Sequence, residues 1–234
     1  MSKEVRVIAP SMVNCYLVKL DDGFILVDTG GKTVFDMDFK TFRDAVEKEL
    51  ENAGYTPGKM KLIVITHGDG DHTGNASFFR DKYKAKIAMH PADNYIVENG
   101  KLSNARVKSF VFGIISSLMG FSSSKLKATL ENYEKFTPDI ALSEGFDLSP
   151  YGWNAKVIHL PGHTEGSVGI ISEDGDLFCG DILAYYGKGK PVLSFLGVDF
   201  NEMKKSLEKI KKLDVKTVYP GHGKPFSGEL LKQL

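Results

Sequence analysis

The sequence predicts a mixed α/β (α+β) fold in which two packed β-sheets are flanked by helices. Short runs of β-branched and other apolar residues, each bounded by polar segments that carry glycine or proline, recur along the chain and are typical of strands. These runs come in groups, and segments with a helical spacing of apolar residues separate the groups. That order favours sheets that bury one face against each other and the other face against helices.

The strand predictions rest on apolar runs that end at turn-forming residues. In chain order they cover residues 5–8, 15–20, 24–28, 61–66, 86–89, 156–160, 167–172, 177–179 and 217–219. Helices are predicted where apolar residues recur at steps of three and four. The helical segments are one that carries Phe39, Phe42, Val46, Leu50 and Ala53, a short one over 75–83, and one that carries Met203, Leu207, Ile210 and Leu213.

Residues 91–149 depart from this rhythm and are predicted to form a helical insert. Within the insert, residues 109–124 contain no charged side chain. Apolar residues there cover much of a helix's circumference, so such a helix needs cover on more than one side. Three interpretations stay open: a helix on the insert's own small core, a lid over an apolar substrate pocket, or an interface that makes the protein a homodimer.

Composition and charge narrow the classes of partner. Lys+Arg and Asp+Glu number 30 each, and without a basic excess we expect no nucleic-acid binding. The N-terminus lacks the apolar core of a signal peptide, and no run reaches the length of a membrane span. Cys15 and Cys179 form no disulfide framework, and their apolar flanks predict buried free thiols. We therefore expect a soluble cytoplasmic protein that acts on a small molecule, with no membrane partner.

A dense cluster of metal-binding side chains follows the predicted strand 61–66. Residues 66–72 read THGDGDH, and the candidate ligands in this loop are His67, Asp69, Asp71 and His72. Gly68 and Gly70 allow the loop to fold tightly, so that these side chains converge. Imidazole and carboxylate groups at this density predict a metal site.

Three later segments repeat the arrangement. His163 lies in LPGHTEGS, Asp181 in LFCGDIL and His222 in YPGHGKPF, each after a strand-like stretch. Glycine or Pro-Gly neighbours predict a turn at each position. We therefore expect these side chains to sit at strand-to-loop junctions, where they can meet the first cluster.

The order of these motifs resembles the metallo-β-lactamase superfamily of binuclear hydrolases. The order is HxxxDH, then PGHT, then Gly-Asp after an apolar strand, then PGHG, and residues 14–18 with Asp28-Thr29-Gly30 resemble that family's opening hairpin and DTG turn. The resemblance covers about residues 14–226. It implies one domain over residues 1–234, folded as a four-layer αββα sandwich with the metals at one edge between the sheets.

The resemblance also implies two divalent metal ions and a role for each candidate residue. The implied ligands are, for the first ion, His67, Asp69 and His163; for the second ion, Asp71, His72 and His222; and as a bridge between the ions, Asp181. Two such ions share a water molecule and make it a hydroxide nucleophile near neutral pH. Asp71 is the expected proton carrier to the leaving group, and Asp28 is expected to accept a hydrogen bond from a metal-bound histidine.

Asp69 is a departure from the family pattern. The usual loop is HxHxDH, whereas this chain has HxDxDH. A carboxylate in place of imidazole makes the first site harder and shifts its preference from zinc toward iron or manganese. Aspartate is also shorter than histidine, so a weak or empty first site is the alternative.

Three functions remain open at this stage. The first is a metal-dependent hydrolase of a small ester-like substrate, namely a lactone, a thioester or a phosphodiester. The second is a diiron redox protein similar to the flavodiiron oxygen and nitric oxide reductases, which carry a Glu at the position of Asp69. The third is a non-catalytic module stabilised by metal, which the retention of the full ligand set argues against.

Overall fold

A computed structural model describes residues 3–10, 12–31, 38–101, 117, 122, 124, 134–187 and 189–234 of the chain. Two six-stranded sheets dominate it. The apolar segment predicted over residues 109–124 lies outside the described residues apart from three serines, so the prediction of a helical insert stays a prediction.

The first sheet contains the N-terminal strands in simple chain order. Its strands are β1 (Glu4–Ile8), β2 (Cys15–Leu20), β3 (Gly23–Val27), β4 (Met60–Val64), β5 (Ile87–Met89) and β6 (Ile140–Ala141). The first three pair antiparallel, and β3 to β6 pair parallel. Residues 140–141 belong to the segment predicted as an insert, and they complete the edge of this sheet.

The second sheet contains the C-terminal strands. Its strands are β7 (Ala155–His159), β8 (Val168–Ser172), β9 (Asp176–Tyr185), β10 (Val192–Leu193), β11 (Thr217–Gly223) and β12 (Phe226–Ser227). The order across the sheet is β12-β11-β9-β8-β7, and β10 pairs with β9. The contact between β9 and β11 is parallel, whereas the remaining pairs are antiparallel.

Side chains that alternate along the strands build three apolar layers. The middle layer packs sheet against sheet, for example Tyr16 and Val18 of β2 near Phe178 of β9 and Trp153. The residues between them on β2, Cys15 and Leu17, point to the opposite face, where a second cluster forms. The predicted pair of packed sheets is therefore confirmed.

Helices cover the outer faces of both sheets. The described helices are α1 (Phe39–Asn52), α2 (Gly70–Thr73), α3 (Ala76–Tyr83), α4 (Asn94–Asn99) and α5 (Phe200–Ile210). The predicted apolar stripe of α1, from Phe42 to Ala53, packs on the first sheet. Met203, Leu207 and Ile210 of α5 pack on the second sheet. This confirms the four-layer αββα sandwich.

The strands that carry Asp181 and His222 are longer than predicted. We expected turns after residues 179 and 219, but β9 continues to Tyr185 and β11 continues to Gly223. The prediction of strand-to-loop junctions is therefore wrong for these two residues. Register shifts between Tyr219 and Pro220 and again before His222 explain the error, because proline is tolerated in a strand where an irregularity removes the need for its N–H.

The expectation for the two cysteines is met. Cys15 and Cys179 are free and buried, and burial raises the pKa of the Cys179 thiol to about 12. Both groups are therefore poor nucleophiles at neutral pH. Among the described residues, no helix is long and apolar enough to cross a membrane.

Helix α5 begins at a side-chain cap that can be tested. The Asp199 carboxylate accepts hydrogen bonds from the backbone N–H groups of Asn201 and Glu202 at 2.8 and 3.1 Å. Asp199→Ala should lower the free energy of unfolding by about 1 kcal/mol, because these N–H groups lose their acceptor. Urea denaturation measures the change. Asp199→Asn keeps an acceptor oxygen and should be close to wild type; an equal loss in both variants would contradict the capping role.

Candidate metal centre

All seven predicted ligand side chains meet at one edge of the two sheets. The loop after β4 delivers His67, and the short helix α2 begins directly after Asp69 and carries Asp71 and His72. The later ligands come from the second sheet: His163 from the loop between β7 and β8, and the rest from within β9 and β11. Residues up to 155 positions apart along the chain, from 67 to 222, thus converge on one small volume.

The first group consists of His67, Asp69 and His163. The Asp69 Oδ2 atom lies 3.4 Å from His67 Nε2 and 3.1 Å from His163 Nε2. The group meets the geometric requirement for ligands around one ion. The shorter aspartate therefore does reach the other two side chains of this group.

The second group consists of Asp71, His72 and His222. The Asp71 Oδ2 atom lies 3.9 Å from His72 Nε2 and 3.6 Å from His222 Nε2. This group also meets the requirement for one ion. Asp71 is the most exposed of the three candidate carboxylate ligands, with 24% of its side chain exposed against 10% for Asp69 and 9% for Asp181.

Asp181 lies between the two groups. Its Oδ2 atom is 3.5 Å from His163 Nε2 and 3.1 Å from His222 Nε2, and its Oδ1 atom is 3.3 Å from His72 Nε2. Gly221 makes this position possible, because a Cβ atom there would lie 2.0 Å from Asp181 Oδ1. One carboxylate therefore faces histidines of both groups.

Several buried polar atoms in this cluster lack partners. Within the described part of the chain, His67 Nε2, His72 Nε2 and Asp181 Oδ1 are buried without a hydrogen bond of acceptable geometry. Buried polar atoms are normally satisfied, so unsatisfied ones need an explanation such as an ion. Four imidazole nitrogens and three carboxylates form a donor set that suits first-row divalent cations. The residues present therefore fit a pair of metal ions.

Each of the four histidine rings is fixed by a hydrogen bond at Nδ1. His72 Nδ1 is 2.9 Å from Asp28 Oδ2, and His67 Nδ1 is 2.9 Å from Thr66 Oγ1. The other two rings donate to backbone carbonyls: His163 to Leu196 at 2.8 Å and His222 to Met12 at 2.9 Å. Carboxylate and carbonyl oxygens only accept, so His72, His163 and His222 donate from Nδ1. The Thr66 hydroxyl gives its own proton to Asp28 and therefore accepts from His67 Nδ1. In the neutral form of each ring, the Nε2 lone pair is then left for a cation.

Asp28 serves histidines of both groups. Its Oδ2 atom accepts from His72 Nδ1 and from the Thr66 hydroxyl at 2.8 Å, and the same hydroxyl faces His67. Its Oδ1 atom accepts from the Thr66 backbone N–H at 2.8 Å. Asp28 has a φ of 58°, a strained value for a residue other than glycine that persists only where the surroundings enforce it. The hydrogen bond that Asp28 was expected to accept from a candidate ligand histidine is present.

The segment around His222 is anchored to the start of β2. The Asn14 side-chain amide donates to the carbonyls of Pro220 and Gly223 at 2.9 and 2.8 Å. The Asn14 backbone N–H donates to the Gly221 carbonyl at 2.8 Å. The N-terminal hairpin thereby fixes the irregular part of β11 that carries the ligand.

Sequence analysis missed several residues that hold this site. Thr66, Asn14 and Thr164 were not identified, and neither was Asp93, which is 1% exposed. Asp93 follows β5 in the segment MHPAD, a polar residue after a strand like the ligands themselves, and that position was the available signal. The remaining histidines, His90 and His159, stack on each other with ring centroids 4.3 Å apart.

The charges of the cluster are strongly coupled. Burial opposes protonation of His222, but the Asp181 carboxylate outweighs it and raises the pKa of that imidazole to about 9. The pKa of His72 is likewise raised, against its own burial, by Asp181, Asp71 and Asp28. Burial would raise the pKa of Asp181, but His222 and His72 hold it well below its usual value. Positive charge is therefore favoured at the centre of this cluster, as either protons or cations.

The sequence and the fold were compared with known proteins. The family model of the Metallo-beta-lactamase superfamily matches residues 8–222. The chain is 25% identical over 238 residues to the probable metallo-hydrolase YqjP of Bacillus subtilis (strain 168), with 95% of this chain and 72% of that protein covered. It is 32% identical over 154 residues to hydroxyacylglutathione hydrolase 1 of Vibrio vulnificus (strain YJ016), which is 61% of this chain and 59% of that protein.

A solved structure shares the fold along nearly the whole chain. The crystal structure of TTHA1623 in a di-iron-bound form superposes with a TM-score of 0.67 and 22% identity, covering 98% of this chain and 97% of the other. The two curated relatives are longer than this chain, which spans 72% and 59% of their lengths.

The double role of Asp28 leads to a testable expectation. Asp28→Asn keeps one acceptor oxygen but loses the charge and the second acceptor that orient His72 and, through Thr66, His67. We expect the affinity for divalent metal to fall by about 10- to 100-fold in both of two binding steps. Competition with a chromophoric chelator measures both steps. Thr66→Ser retains the bridging hydroxyl and serves as the control; wild-type affinities in Asp28→Asn would contradict this role.

Proposed function

This chain belongs to the metallo-beta-lactamase superfamily, and from that membership we infer that it is a metal-dependent hydrolase. We propose further that its substrate is a small ester-like molecule, with a thioester as the first choice ahead of a lactone or a phosphodiester. The arrangement of Asp181 between two groups of ligands is the observation that carries the proposal.

The proposed chemistry needs both groups at once. The first group with one Asp181 oxygen would hold one divalent cation, and the second group with Asp181 would hold another. Bound in this way, the two cations would lower the pKa of a shared water molecule toward neutrality and polarise a substrate oxygen. The residues supply the orientation: Nδ1 of each of the four candidate ligand histidines is already hydrogen-bonded, so these rings need no rotation to direct Nε2 at a cation.

Asp71 is the proposed carrier of a proton to the leaving group. It is the carboxylate of the second group, it begins a helical turn at the open side of the cluster, and it stays partly exposed. A carboxyl group in that position reaches both the buried centre and an incoming substrate, which is the geometry that general acid catalysis requires.

The choice of substrate class rests on two supports. The Vibrio vulnificus relative is by its name a hydrolase of hydroxyacylglutathione, a thioester. In addition, two exposed apolar residues belong to the backbone segments that hold the histidines. Met12, whose carbonyl accepts from His222, is 45% exposed, and Phe195, which precedes the Leu196 carbonyl that accepts from His163, is 54% exposed. An acyl group with an apolar portion would bury this surface.

A substrate panel tests the class directly. Thioesters, lactones and phosphodiesters are compared as kcat/KM on protein loaded with zinc, iron or manganese and on protein stripped with a chelator. We expect the thioesters to be cleaved fastest and the stripped protein to be inactive. Turnover that persists without metal would contradict the metal-dependent mechanism, whereas preference for another class would contradict only the choice of substrate.

Asp69 supports iron or manganese over zinc in the first group, and it keeps a second function under consideration. Three carboxylates among seven candidate ligands form a harder set than histidine-rich zinc sites. The same feature favours a diiron redox protein as the alternative. Metal analysis of protein purified without added metal, with an absorption spectrum for iron, separates the two: a diiron protein that turns over a reducible substrate and cleaves no ester would replace the hydrolase proposal.

The proposal also covers the partners, the cellular location and the oligomeric state of the protein. Equal numbers of acidic and basic residues support a small-molecule substrate and give no reason to expect a nucleic acid as a partner. The free thiols of Cys15 and Cys179 support a reducing compartment, and we propose the cytoplasm. The uncharged sequence over residues 109–124 supports a homodimer, which sedimentation analysis tests.

Removal of the shared carboxylate should disable the enzyme. Asp181→Ala leaves His72 and His222 without the charge between them, so we expect turnover to be lost together with at least one metal ion per chain. Elemental analysis and the thioester assay measure both effects. Asp214→Ala, which removes an exposed carboxylate, is the matched control. Unchanged metal content and rate in Asp181→Ala would refute the bridging role.

Substitution at Asp69 should change which metal the protein selects. Asp69→His places imidazole in the first group, so zinc should gain over iron and manganese when the apo-protein is loaded anaerobically from an equimolar mixture. Elemental analysis gives the ratio. Asp69→Asn, which removes the charge without adding a nitrogen ligand, should bind every metal more weakly at this group. The same metal ratio in wild type and Asp69→His would show that Asp69 is not a ligand.

A further inference from the structure

We propose that Asp93 is a positioning residue that sets the spacing of the first group, and that it acts on this group and not on the second. The inference rests on the proposed metal-dependent function. Asp93 ends a short 3-10 turn, Pro91–Asp93, which directly follows β5 and begins the segment predicted as an insert. It touches none of the candidate ligand side chains through its own hydrogen bonds to the described residues; it acts through the backbone that carries them.

The Asp93 carboxylate joins the two loops that supply the first group. Its Oδ2 atom accepts from the Gly68 backbone N–H at 2.8 Å, and Gly68 lies between His67 and Asp69. The same oxygen accepts from the Thr164 hydroxyl at 2.6 Å, next to His163. Its Oδ1 atom accepts from the Gly166 backbone N–H at 2.8 Å. One side chain therefore connects the chain immediately beside all three ligands.

The site around this carboxylate is closely fitted. A Cβ atom on Gly166 would lie 2.6 Å from Asp93 Cγ, and one on Gly68 would lie 3.2 Å from Asp93 Cβ. The backbone at Gly166 thus approaches the aspartate more closely than a residue with a side chain allows, and at Gly68 a side chain would fit only if its neighbours shifted. Since Asp93 is 1% exposed, water cannot replace its oxygens, and the hydrogen bonds to this buried charge are of the stronger kind.

The Thr164 hydroxyl extends the connection toward β8. It lies 2.8 Å from Ser167 Oγ, and the Ser167 hydroxyl accepts from the Thr164 backbone N–H at 3.0 Å. Because Thr164 donates its proton to Asp93, it receives the proton of Ser167. The turn that holds His163 is therefore closed on one side by Ser167 and fastened on the other side to the loop of His67 and Asp69.

The second group is held by different contacts. His72 donates to Asp28. His222 lies on the part of β11 that Asn14 fixes, and it donates to the Met12 carbonyl. Asp28 reaches both groups because Thr66 lies between it and His67. The geometry therefore assigns Asp28 to both groups and Asp93 to the first group alone.

The test compares stepwise metal affinities in matched variants of the full-length protein. Asp93→Asn retains the size of the side chain but replaces one acceptor oxygen with an NH2 group. At least one of the three donors (the Gly68 N–H, the Thr164 hydroxyl or the Gly166 N–H) then faces another donor and loses its hydrogen bond. Apo-protein is titrated with zinc or manganese against a chromophoric chelator. We expect one of the two binding steps to weaken by about 10- to 100-fold and the other to stay within experimental error of wild type.

Two further variants make the comparison specific. Asp139→Asn is the control: this carboxylate of the same segment accepts from the Ile87 N–H at 2.8 Å, far along the chain from the ligand loops, and both steps should be unchanged. Thr164→Val removes one of the three donors with a smaller risk to folding. It should weaken the same step as Asp93→Asn, by a smaller factor.

Amide hydrogen exchange on the apo-protein gives a readout that needs no metal. Exchange should accelerate at Gly68 and Gly166 in Asp93→Asn, and not at His72 or His222, whereas a general loss of stability would accelerate exchange throughout. Both steps weakened equally in Asp93→Asn, or neither step weakened, would overturn the assignment of Asp93 to the first group. Wild-type protein that binds no divalent metal would instead overturn the proposed function, and this inference with it.

Discussion

Four hydrogen bonds from histidine Nδ1 atoms hold the candidate metal centre in shape. Each bond fixes one ring and leaves its Nε2 atom directed at the shared carboxylate of Asp181. Without these acceptors the rings would be free to turn, and a buried imidazole with both nitrogens unsatisfied would oppose folding. The chemistry of the centre therefore depends on acceptors that lie outside the ligand set.

The two-sheet architecture supplies those acceptors from widely separated parts of the chain. Parallel pairing of β3 with β4 in the first sheet places Asp28, at the end of β3, against the loop after β4. Contact between the two sheets brings the segment around Met12 against β11. The middle apolar layer keeps the sheets in register with each other. Asp28 can hold its unfavourable backbone conformation because both of its oxygens are engaged there. The stability of the sandwich thus maintains the unfavourable backbone conformation of Asp28 and the orientation of the histidine rings at the edge of the sheets.

The sequence predicted most elements because their patterns are local. The apolar stripe of α1 and the apolar run of β2 follow from the local sequence alone, and both agree with the structure. The ends of β9 and β11 were wrong because Gly180 and Pro220-Gly221 have the composition of turns. Pairing between parallel strands overrides that local preference, since the register shifts absorb the proline without breaking the sheet.

The sequence by itself determined the donor set, its order along the chain and the substitution of Asp69 for the usual histidine, because side-chain chemistry is written residue by residue. The family resemblance implied how these donors divide around Asp181, and only the tertiary structure decided that they meet there and what holds them. The carbonyls of Met12 and Leu196 carry no sequence signal, because every residue has a carbonyl. Asp93 looks like any polar residue after a strand until folding buries it between two loops, where the cost of an unpaired charge makes its hydrogen bonds obligatory.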